Sequence, residues 1–99
     1  MAKKNAEKPS AEEHGGVPLE DRTALFHSSF DLGLAAALIC TGFELVSLGR
    51  ENPRKVRFLF RRSDGIDEIA NNYWSDRLEV KARAYFDALK MLKNRLYSE

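Results

Sequence analysis

Apolar and polar positions divide this chain into blocks of different period. From Leu32 to Cys40 it reads LGLAAALIC, nine positions without a polar side chain, followed by Thr41 and Gly42. The run is too short to span a bilayer, which takes about 20 apolar residues. Wound as a helix it is apolar all round, so other elements must cover it on more than one side. It is therefore the expected centre of the domain. Ser28 and Ser29 are good N-caps, Ser28 with Asp31 forms an S-x-x-D capping pattern, and Asp31 suits the positive end of a helix dipole. These features predict a helix from about Phe30 to Thr41, stopped by Gly42 in the left-handed region.

After Gly42 the period changes from that of a helix to that of a strand. FELVSL (43–48) and RKVRFLFRR (54–62) read as two strands joined by Gly49-Arg50-Glu51-Asn52-Pro53, a five-residue connection of turn residues. Strict alternation puts Val56, Phe58 and Phe60 on one face of the second strand and Lys55, Arg57, Leu59 and Arg61 on the other. On the same parity Val46 and Leu48 share the basic face. An antiparallel hairpin follows. The short apolar run TALFH (23–27) is a candidate edge strand, and RLEV (77–80) is either a connector or a further short strand.

Two more helices are written at helical spacing. Asp64, Asp67 and Glu68 make an acidic first turn, and Ile66, Ile69, Ala70 and Tyr73 a buried stripe. The last helix runs from about Lys81 to Tyr97, with Ala82, Tyr85, Phe86, Leu89, Leu92 and Leu96 as its apolar face. The order is (β)αββα(β)α, an α+β fold with an antiparallel sheet and three helices. If both short segments are strands, it is a ferredoxin-like unit with an added C-terminal helix; if not, it is a hairpin packed on three helices. The expected core is Leu34, Ala35, Leu38, Phe43, Leu45, Val56, Phe58, Phe60, Ile66, Ile69, Phe86, Leu89 and Leu92.

Several of these motifs occur together elsewhere. The D-L-x-L-A-A helix start at Asp31 to Ala36, Gly42-Phe43 leading into a strand, the N-P-R-x-V-x-F-x-F run from Asn52 to Phe60, and the closing helix from Phe86 to Leu96 resemble a family of short uncharacterised domains of bacterial and phage genomes. The resemblance covers most of residues 23–98. It implies a single domain and carries no activity. The association of that family with mobile elements, which the resemblance also implies, favours nucleic-acid work.

Composition narrows the picture further. With 99 residues, the chain supports one core and one domain. Residues 1–21 are dominated by charged, Pro, Gly and Ala residues and predict a disordered tail; residues 22–98 form the domain. The lysines near the start precede no apolar stretch, so no secretory signal is read there. The single cysteine, Cys40, lies in the apolar helix and forms no internal disulfide, which suits a cytoplasmic protein.

Candidate chemistry is sparse. His14 lies in the tail and His27 stands alone, so no metal-ligand spacing is present. Ser28 and Ser29 are accounted for as caps, Cys40 has no electropositive neighbours, and the acidic residues 64, 67 and 68 suit a helix start. No phosphate-binding loop or cofactor motif occurs, and the chain is read as a non-enzymatic binding module. Net charge is only +1, yet Arg50, Arg54, Lys55, Arg57, Arg61 and Arg62 crowd into the hairpin with Glu51 the one acid among them. Arg54, Lys55, Arg57, Arg61 and Arg62 are the candidate contacts to a DNA or RNA backbone. Phe58 and Phe60 face away from them, which favours backbone contact over base reading. The alternative is a protein-interaction or homodimer patch of Val46, Leu48 and Leu59 on the same face.

Overall fold

The computed structural model describes residues 24–98; the expected tail, residues 1–21, lies outside them. The elements are β1 (Phe26–Ser29), α1 (Leu32–Cys40), β2 (Leu45–Asn52), β3 (Lys55–Arg61), α2 (Ile66–Trp74) and α3 (Ala82–Ser98). The sheet is three-stranded in the order β1-β3-β2, with β3 antiparallel to both neighbours. The α+β architecture with three helices is thus as the periodicities require. The outer strands run parallel to one another, and α1 links them across the central strand.

The start of α1 differs from the serine cap expected. β1 runs on to Ser29, whose neighbourhood is paired with Phe58 of β3, so neither serine is available as N-cap. Asp31 takes that place: its carboxylate accepts the Leu34 N–H at 2.7 Å, and Ser29 Oγ accepts the Asp31 N–H at 3.0 Å. At the other end Gly42 has φ 99°, its N–H donates to the Ile39 carbonyl, and the Phe43 N–H donates to the Leu38 carbonyl. These two hydrogen bonds close the helix and turn the chain into β2.

α1 is buried over five consecutive residues, Leu34 to Leu38. One turn cannot be hidden on every side unless sheet and helices both enclose it. Leu34 and Leu38 meet Phe58 and Phe60 of β3, Ile66 and Ala70 of α2, and Ala88 and Leu92 of α3 in a single core. Of the residues expected inside, Phe86 is the exception, 58% exposed with the Lys90 ammonium 5.5 Å above its ring. α3 is rotated so that the small Ala88 and Leu92 face the alanines of α1, with Tyr85, Leu89 and Leu96 beside them. A phenylalanine at that seam would hold the two helices apart.

The hairpin is tighter than the sequence suggested. Asn52 pairs with Lys55, so only Pro53 and Arg54 make the turn, and Asn52 Oδ1 accepts the Arg54 N–H at 2.8 Å. Two irregularities offset the register, one between Leu45 and Ser47 and one between Gly49 and Asn52. The segment 77–80 is not a strand. Asp76 and Arg77 close α2 instead: the N–H of Asp76, a residue in the left-handed region at φ 63°, donates to the Tyr73 carbonyl, and the Arg77 N–H donates to the Asn72 carbonyl at 2.8 Å. The ferredoxin-like alternative, which needs a strand there, is therefore not adopted.

Candidate nucleic-acid interface

β3 supplies the two faces of the sheet. Phe58 and Phe60 are fully buried on the inner face, and Lys55 and Arg61 are exposed on the outer one, as alternation requires. Cross-strand partners share a face, so the register defines the outer surface row by row. Phe26 of β1 lies opposite Arg61; Ser28 and Ser47 flank Leu59; Gly49 lies opposite Arg57. Continuing the parity of Phe26 and Ser28 beyond β1, Phe30 stands beside Arg57.

Phe30 is the residue that sequence reasoning missed, having been placed at the start of a helix. It is 50% exposed, with Lys55 Nζ 5.3 Å and Arg57 Cζ 5.2 Å from its ring centroid. Both separations fall within the range of a cation–π contact. The basic face therefore does carry aromatic side chains, but they come from β1 and the residue that follows it, not from the hairpin. The available signal was the alternation F-x-S-x-F over positions 26–30, which reads through the expected cap into Phe30.

The candidate cations divide into groups. Lys55, Arg57 and Arg61 share the outer face. Arg54 projects from the turn, and neither it nor Lys55 has a carboxylate partner among the described residues. Arg57 pairs with Glu51 at 3.5 Å and Arg61 with Glu44 at 3.0 Å. Such exposed pairs contribute about 0–1 kcal/mol and exchange readily for another anion. Arg62 does not join the group. It lies past the end of β3 and binds Asp67 in the first turn of α2 at 2.7 Å, tying strand to helix. Arg50 is also engaged elsewhere, donating at 3.0 Å to the Leu96 carbonyl near the end of α3.

The apolar patch is not assembled as expected. The extra residue at Val46 reverses the parity of β2, so Leu48 pairs with Phe58 and packs on the core. Val46 stays exposed, and Leu59 is half-buried between Ser28 and Ser47.

A second cluster lies at the start of α1. Tyr73 donates to Asp31 Oδ2 at 3.3 Å, and Tyr85 donates to the Gly33 carbonyl at 3.2 Å. Burial, then the Asp31 charge and the neighbouring Tyr85, push the Tyr73 hydroxyl up to about 12. It therefore remains a neutral donor through the physiological range. Beside it a cavity of about 220 Å³ is lined by Ala37, Tyr73, Asp76, Leu78, Val80 and Tyr85. These contacts fasten α2 and α3 onto the N-terminal turn of α1 and have a sufficient structural reason. His27 faces the inner side, its Nδ1 buried without a partner. Burial, followed by the Arg62 charge, lowers its pKa, so its ring stays neutral. Burial pushes the Cys40 thiol up, away from the thiolate form a nucleophile requires.

An antiparallel sheet with its core and helices on one face and a cationic, aromatic-bearing surface on the other defines a small α+β domain. The chain belongs to the family described as Domain of unknown function (DUF5659), whose model matches residues 26–98. Comparison with curated proteins and with solved structures gives no match. No helix among the described residues is long and apolar enough to cross a membrane.

Proposed function

We propose that the domain is a non-enzymatic binding module that contacts the phosphate backbone of nucleic acid through the outer face of its sheet. The observation that supports this most is the row of Lys55, Arg57 and Arg61 along the central strand, open to solvent on the face opposite the core. Arg54 adds charge at the turn. Phosphates would displace Glu51 and Glu44 from their weak pairs, releasing counterions as they bind. A single thiol held protonated by burial suits a reducing cytoplasm, and the bacterial and phage setting implied by the sequence resemblance suits a nucleic-acid partner.

The test is fluorescence anisotropy with labelled DNA and RNA across a salt series. Affinity should fall steeply with salt, and Lys55→Ala combined with Arg57→Ala should flatten the logarithmic slope by about 2. Lys93→Ala, exposed on α3, should leave it unchanged. No binding at low salt removes the reading. The competing role, self-association or protein binding through Val46 and Leu59, would instead give a concentration-dependent dimer in sedimentation that Leu59→Asp abolishes.

A further inference from the structure

The outer face is asymmetric in a way that backbone contact alone does not use. Its cations stand on the central strand, while its aromatic rings stand on one edge: Phe26 opposite Arg61 and Phe30 beside Arg57 and Lys55, with the small Ser28 between them. The other edge offers Ser47, Gly49, the exposed Val46 and the carboxylates Glu44 and Glu51, and no aromatic ring among the described residues. Adjacent strands are about 4.8 Å apart. With Lys55 Nζ 5.3 Å and Arg57 Cζ 5.2 Å from the Phe30 centroid, a planar group laid on that ring has cations within reach of a phosphate attached to it.

We infer that this face takes single-stranded nucleic acid, with a base stacked on Phe30 and the adjoining phosphate held by Lys55 and Arg57. The inference rests on the phosphate-contact reading of the same face and goes further by naming the strand state and the stacking residue. A duplex keeps its bases stacked inside and would leave the half-exposed Phe30 ring unused. Single strands add a stacking contribution that tolerates any sequence, because every base presents a π face. Three alternating positions, Phe26, Ser28 and Phe30, leave this edge without a charged side chain of its own, and a base stacking on Phe30 would take the place of a cation over the ring and leave that cation to the phosphate.

The experiment compares wild type, Phe30→Leu, Phe30→Tyr and the Lys55→Ala/Arg57→Ala variant by anisotropy. The probes are oligo(dT), oligo(U), an abasic strand and a duplex, each about 20 nucleotides long. Oligo(dT) or oligo(U) should bind about tenfold more tightly than the abasic strand and the duplex, and the ratio between the first two identifies the preferred sugar. Phe30→Leu should remove that tenfold advantage without changing the salt slope, and Phe30→Tyr should restore it. Equal binding of abasic, duplex and base-bearing strands, with Phe30→Leu neutral and the charge variant still defective, overturns stacking while leaving phosphate contact standing. Absence of binding to all four probes overturns both. Circular dichroism of Phe30→Leu separates a lost contact from a lost fold.

Discussion

Gly33 shows how a single residue can be read backwards from composition. Within a helix, replacing an interior glycine by alanine ordinarily stabilises by about 0.5–1 kcal/mol. Here a Cβ at position 33 would collide with the Tyr73 hydroxyl and come within 3.2 Å of both Asp31 Oδ2 and the Tyr85 hydroxyl. We expect Gly33→Ala to destabilise by about 1–3 kcal/mol in chemical denaturation, as overpacking does. Adding Tyr73→Phe, which removes the colliding oxygen, should recover part of that loss. The glycine is legible as a glycine in the sequence, but its reason is not, because the two tyrosines approach from α2 and α3, 40 and 52 positions further along. Phe30 presents the same difficulty from the opposite direction. Its neighbours Ser29 and Asp31 look like a helix start, and only the pairing of β1 with β3 makes the ring part of a sheet surface.

The elements themselves were largely written in local pattern, and the departures occur where an element adapts to its neighbour. The inserted position at Val46 is the clearest case. Period-two reasoning gives Val46 and Leu48 the same face, but one extra residue in β2 lets Leu45 and Leu48 both reach the core opposite Phe60 and Phe58. Leu48→Ala should therefore cost about 2 kcal/mol in thermal or urea unfolding, while Val46→Ala should cost under about 0.5 kcal/mol. Equal costs would mean that strict alternation holds and the bulge does not. The end of α2 is a second case. No glycine marks it, since Asp76 adopts the left-handed conformation and directs Arg77 back onto Asn72. Without that signal, RLEV leaves a connector and a short strand both open. In α3 the helix was evident, but its rotation was not: Phe86 and Ala88 compete for the seam, and the alanine-rich surface of α1 favours the smaller side chain.

Across the whole molecule charge is nearly balanced, with a net of +1, so attraction to a polyanion depends on where charges sit and not on their sum. Glu51 illustrates the point. It pairs with Arg57 and its carboxylate lies over Gly49, close enough that a Cβ there would be 2.8 Å from Oε1. Neutralising it by Glu51→Gln should raise affinity for oligonucleotides about two- to fivefold at low salt and steepen the salt dependence, because Arg57 is then released to phosphate. An unchanged affinity in the same anisotropy assay would place the bound strand elsewhere. The amino-acid sequence by itself determined the helices, the hairpin, the central apolar segment and the separation of phenylalanines from cations on β3, since each follows from spacing within a few residues. Tertiary structure alone decided which strand lies in the middle, how Leu48 turns inward, how Arg62 is drawn to Asp67, and how Phe30 meets Lys55 and Arg57. These depend on the docking of segments distant in the chain, where packing against a shared core outweighs local preference.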